Sequence, residues 1–169
     1  DFTLEELKKL DAGSWFSKEF AGEKIPTLDE IFTEFGNTTK YYIETRLVDK
    51  KPVMEKHVEN LIEKHDIKTE NIILQSWYEN SLREFDNKFT KVKLFDQPFD
   101  EIDLDHVKTY ADGIGIEAGY LTQEIVSEIQ DADLTVHVFF FENEKEATQE
   151  VISFGVDGII TNFVQDYAE

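Results

Sequence analysis

From residue 40 onward, short runs rich in β-branched and aromatic residues alternate with polar stretches whose apolar positions recur at helical spacing. Runs 40–47, 71–77, 92–95, 110–116, 135–141 and 158–161 have the composition of strands. Between the first two, Val53, His57, Val58, Leu61 and Ile62 fall on a helical face, and Ile125, Val126 and Ile129 do the same ahead of the fifth. Reciprocal capping pairs mark helix starts at Thr3 with Glu6, Thr27 with Glu30, Ser76 with Glu79 and Asn143 with Glu146. Strands alternating with helices predict an α/β fold with a parallel sheet, because only a crossover returns the chain to the same end of the sheet. Such a sheet is either doubly wound or closed into a barrel.

No G-x-G-x-x-G opens a helix after the first strand and no P-loop appears, which weighs against the nucleotide-binding doubly wound folds. Eight-stranded barrels usually take about 250 residues. This chain has 169 and six predicted strands, so two β/α units are unaccounted for. The first 39 residues do not supply them, since they read as two helices around a loop containing Gly13, Trp15 and Phe16.

With 17 basic and 37 acidic residues the formal charge is −20, which repels phosphate backbones and anionic headgroups. Nucleic acid is therefore excluded as a natural partner, and no apolar run approaches the roughly 20 residues of a bilayer span. The absence of cysteine removes disulfides, Cys-ligated metals and thiol nucleophiles. Compartment stays open, with the cell envelope or exterior favoured over the cytoplasm by the acidic, cysteine-free composition. An N-terminal Asp suggests a segment upstream, and the oligomeric state is unknown.

Along the first strand, alternation places Tyr42, Glu44 and Arg46 on one face. At the carboxyl end of a barrel strand Glu44 is a candidate ligand for a hard cation and Arg46 a clamp for phosphate. On a solvated edge strand the two would be a plain ion pair. Ile73, Gln75 and Trp77 share a face of the second strand, while Ser76 lacks the G-x-S-x-G elbow of a nucleophile. None of His57, His65, His106 and His137 forms a metal-binding pair by spacing. His137 lies on a strand face with Phe139 and Phe141, where a structural role is the simpler expectation. Glu117, at the end of the fourth strand, is either site rim or solvated loop.

Four stretches in order resemble the glycerophosphodiester phosphodiesterase family: Leu10-Asp11-Ala12-Gly13-Ser14-Trp15-Phe16, Ala21-Gly22-Glu23-Lys24-Ile25-Pro26-Thr27-Leu28-Asp29-Glu30, Ile43-Glu44-Thr45-Arg46 and Gly155-Val156-Asp157-Gly158-Ile159-Ile160-Thr161-Asn162. The resemblance implies a TIM (β/α)₈ barrel of the phospholipase C-like phosphodiesterase type. Residues 1–169 would form its C-terminal part from the third strand onward, with the first two β/α units missing. It implies a phosphoric diester hydrolase that converts glycerophosphodiesters to an alcohol and glycerol 3-phosphate with a divalent metal, Ca²⁺ or Mg²⁺. Glu44 matches the family's metal-binding glutamate, Arg46 stands where a phosphate-binding lysine is usual, and Phe139 where an aromatic, usually Trp, lies. With Glu117 these are the expected metal and substrate residues. The acid–base histidines and the E-x-D metal pair have no counterpart here and are expected upstream of Asp1, so no catalytic residue is assigned within the chain and the fragment alone should be inactive. The alternatives are a non-catalytic acidic β/α-barrel binding module, or a related barrel phosphodiesterase acting on phospholipid.

Overall fold

Six strands hydrogen-bond in chain order, every neighbouring pair parallel. They are β1 (Tyr41–Thr45), β2 (Ile72–Ser76), β3 (Thr90–Phe95), β4 (Gly113–Glu117), β5 (Thr135–Phe139) and β6 (Gly158–Ile159). This computed structural model describes residues 2–142 and 144–164. Helices α1 (Leu4–Leu7) and α2 (Leu28–Phe35) precede β1. Helices α3 (Glu55–Lys64), α4 (Glu79–Glu84), α5 (Leu104–Val107), α6 (Gln123–Asp131) and α7 (Glu144–Ser153) fill the five crossovers. Sequential parallel order without a reversal is the topology of a barrel wall, and the doubly wound alternative falls away.

The predicted strands hold with shifted ends: most are shorter, while β3 starts two residues earlier at Thr90 and β4 runs on to Glu117. The largest difference is at β4, where Tyr110 and Ala111 lie before the ladder. Both give their amides to the carbonyl of Val107 at the end of α5, so those N–H groups are spent on the helix terminus. Thr3 with Glu6 and Thr27 with Glu30 form complete capping boxes. Ser76 does not cap α4. It ends β2, and its hydroxyl donates to the Thr45 carbonyl, while Tyr78 takes the cap position without a side-chain bond. The pair at Asn143 and Glu146 lies outside the described residues.

Alternation divides the strand residues between two faces. Tyr41, Ile72 and Leu74 pack beneath α2 and α3 with Phe32, Val58 and Ile62. Ile114, Ile116, Val136 and Val138 pack with Val126, Ile129 and Val151 of α6 and α7. The opposite face is concave. Tyr42 on β1 and His137 on β5 meet with ring centroids 5.5 Å apart, although four strand spacings in a flat sheet would separate them by roughly 19 Å. The sheet is therefore curled into a half-barrel. Gly115 permits the filling of its interior, since a Cβ there would stand 2.5 Å from Leu94 Cδ2 and 3.4 Å from Val92 Cγ1.

Candidate functional site

In a parallel β/α layer the carboxyl ends of the strands and the N-termini of the helices share one end. Thr27, the cap of α2, therefore lies at the same end as Glu44 and Phe139. The loop before α2 is tied to itself by Asp11, whose carboxylate accepts from the amides of Gly13, Ser14 and Gly22. Those donors hold its carboxyl far below the usual range.

Glu44 projects from β1 into the concave face. Its Oε2 accepts a long 3.4 Å bond from Gln75 Nε2 on the neighbouring strand. Arg46 Nε approaches Oε1 to 2.6 Å. That contact lacks the directed geometry of a hydrogen bond, and Oε1 is buried without a hydrogen-bonding partner. The Glu44 side chain is 27% exposed and that of Arg46 67%, so the guanidinium reaches outward while the carboxylate faces in. Gln75 Oε1 is likewise buried and unpaired. Gln75 Oε1 thus faces inward with unused lone pairs, beside a Glu44 carboxylate whose Oε1 is engaged by the ion pair to Arg46 alone.

The aromatic wall comes from β5. Phe139 stands edge-on to Trp77, centroids 5.5 Å apart, and to Phe141 at 5.3 Å. Glu117, the register partner of Phe139 on β4, accepts from the Gly119 amide at 2.7 Å, capping the turn that follows the strand. It also lines a cavity of about 610 Å³ with Asp96, Tyr120, Phe141, Glu142 and Phe154. The structure thus gathers Glu44, Arg46 and Gln75 on one side and Phe139 with Trp77 on another, and gives Glu117 a turn-capping bond.

His137 sits deeper, 5% exposed, with Nε2 3.0 Å from Thr135 Oγ1. The Thr135 hydroxyl also lies 3.3 Å from the Asp112 carbonyl, which accepts its proton. Nε2 then carries the ring proton and Nδ1 is bare, buried and without a partner. Burial pushes its pKa down. Burial likewise drives the Tyr42 hydroxyl well above the ordinary phenol range. His57 and His65 lie in and directly after α3, and His106 in α5, where it contacts Glu79 at 2.8 Å. Among the described residues no three His, Asp or Glu come together as a metal-holding group, and no helix is long and apolar enough to cross a membrane.

One feature near this site has no local sequence signal: Glu55, Ser81 and Thr45 meet behind β1, each at most 2% exposed. Glu55 reads as an ordinary helix-start acid and Ser81 as a surface helix residue. Only long-range packing brings them together.

The model of the glycerophosphoryl diester phosphodiesterase family matches residues 1–166. A Bacillus subtilis glycerophosphodiester phosphodiesterase is 33% identical over an alignment covering 96% of this chain and 62% of the relative. One from Caldanaerobacter subterraneus is 31% identical, covering 96% and 68%. Among solved structures, an Oleispira antarctica phosphodiesterase in complex with the product sn-glycerol-3-phosphate superposes with a TM-score of 0.79 at 21% identity, over 97% of this chain and 68% of that one. The chain thus spans 62% of the Bacillus relative's length. On the family match and these identities together, the chain belongs to the glycerophosphoryl diester phosphodiesterase family.

Proposed function

We propose that this chain forms the greater part of a phosphoric diester hydrolase that cleaves glycerophosphodiesters to an alcohol and glycerol 3-phosphate. The carrying observation is Glu44, an inward carboxylate at the mouth of the half-barrel whose Oε1 is met by the outward-reaching Arg46 guanidinium and whose Oε2 takes only a long bond from Gln75. The relatives named for this activity and the neighbour holding its product support the substrate class.

Glu44 fits one edge of a site for Ca²⁺ or Mg²⁺, because its inward carboxylate is engaged only by an exposed guanidinium and a 3.4 Å bond, which leaves oxygen lone pairs that a hard cation can take. Such a cation takes about six or more oxygens, so its remaining ligands come from outside the described residues or from water and substrate. Bound there, the cation would neutralise phosphate charge as a Lewis acid. Arg46 would then turn its exposed guanidinium from Glu44 to the substrate phosphate, where planar paired donors match two oxygens. Phe139 and Trp77 form the apolar wall against the glycerol carbons. Glu117 contributes to the rim. Neither the histidines needed to move protons nor the further carboxylates are assigned here, and we place them on two further β/α units that close the barrel between β6 and β1. The chain's six ordered strands and its 68% coverage of the Oleispira structure support that placement.

The test is Glu44→Gln in the native full-length enzyme, with divalent-metal affinity and glycerophosphodiester turnover measured together. Both should fall at least 10-fold, since the substitution removes a ligand charge while keeping shape. Unchanged metal titration would remove Glu44 from the site.

A further inference from the structure

We infer that a buried polar clasp of Glu55, Ser81, Ser76 and Thr45 fixes the carboxyl end of β1 and thereby aims Glu44 and Arg46 into the mouth. The four side chains are at most 2% exposed and lie on the helix-facing side of the sheet. Thr45 Oγ1 is 2.7 Å from Ser81 Oγ, and Ser81 Oγ donates to Glu55 Oε1. On the other side of the same residue, Ser76 Oγ donates to the Thr45 carbonyl at 2.9 Å and accepts from the Tyr78 amide at 3.3 Å. Both the side chain and the carbonyl of Thr45 are therefore held, by residues from α3, α4 and the end of β2.

The position of Thr45 gives this arrangement its consequence. It lies between Glu44 and Arg46, so fixing its side chain on the helix side fixes the rotation that points both neighbours to the other face. The need for such a hold is local. The ladder with β2 stops at Thr45 and Ser76, β1 pairs with no other described strand, and the chain then leaves into the bridge between Val48 and Lys51. A buried carboxylate is a costly means of packing helices together. Glu55 Oε2 is buried without a partner, a cost that apolar residues of the same volume would avoid. Glu55, Ser81, Ser76 and Thr45 are thus positioning residues, and their assigned task rests on the reading of Glu44 and Arg46 given above.

The experiment compares Thr45→Val and Thr45→Ser in the native full-length protein, with Val58→Ala as a core control of the same layer. Val keeps the shape of Thr45 and removes its hydroxyl, whereas Ser keeps the hydroxyl. Amide hydrogen exchange at residues 44–46 should quicken about 10-fold in Thr45→Val while residues 41–43 stay as in the wild type, and Thr45→Ser should match the wild type. Metal affinity and kcat should fall about 10-fold in Thr45→Val, the lower end of the effect of removing groups that orient metal ligands, with Val58→Ala unchanged in both. Ser81→Ala should reproduce the local exchange change if it folds. Exchange that rises uniformly along β1, or a Val58→Ala enzyme as impaired as Thr45→Val, would overturn the inference. A wild type without turnover or metal binding would refute the proposed function alone, and the exchange data would still decide whether the clasp holds the strand end.

Discussion

His137 makes stability depend on pH in a way that can be worked out in advance. Its ring is 5% exposed, Nε2 faces Thr135 Oγ1, and Nδ1 lies over Gly158, where a Cβ would be only 2.5 Å away. Protonation would place a new N–H at Nδ1 with no acceptor, and burial accordingly lowers the pKa, opposed more weakly by Asp157. In the unfolded chain the imidazole titrates at about 6.5. Above that pH both states are neutral and His137 contributes no pH dependence. As pH falls below it, the unfolded state takes up a proton that the folded state refuses, so stability drops until pH passes the folded value. The slope is at most ~1.4 kcal/mol per pH unit, and the loss between pH 6.5 and 5.5 is at most about 1 kcal/mol. Urea unfolding of the wild type and His137→Gln across this window is the assay, since the amide cannot titrate. With m of about 2 kcal/mol/M, the wild-type midpoint should fall further than the variant's, by up to about 0.5 M. Parallel midpoints in the two proteins would show that His137 takes its proton freely in the fold, and would refute the assignment of an orphaned Nδ1.

Gly115→Ala should destabilise by about 1–3 kcal/mol through overpacking against Leu94 and Val92, read as a lower urea midpoint with unchanged m; a neutral result would mean that those side chains can withdraw. Lys93 lies over the Phe95 ring at 3.9 Å and donates to the Leu94 carbonyl, and burial brings its amine down to about 8. Its folded value is below its unfolded one, so the cost of burying its charge is full below pH 8 and vanishes above about 10. After allowance for solvent contact and for the lost bond to Leu94, Lys93→Met should stabilise by about 1–2 kcal/mol at pH 7, and thermal unfolding repeated at pH 10 should show that gain largely gone.

The sequence by itself determined the β/α alternation, the parallel sheet, the caps at Thr3 and Thr27 and the split of β1 into two faces. These are readable because their causes act within a few residues: side-chain period, capping geometry and the need for a crossover. The same locality misled at Ser76, whose hydroxyl had two possible partners, the α4 amides ahead and the Thr45 carbonyl on the adjacent strand. Only the folded register decided between them. Tertiary structure alone also decided that the sheet curls enough for Tyr42 to touch His137, that Glu117 is turned to the Gly119 amide, and that Glu55, Ser81 and Thr45 converge behind β1. In each of these the partners are separated by long stretches of chain or chosen among competing neighbours. A one-dimensional pattern carries a residue's own period and chemistry but not which distant group packing will bring within 3 Å of it.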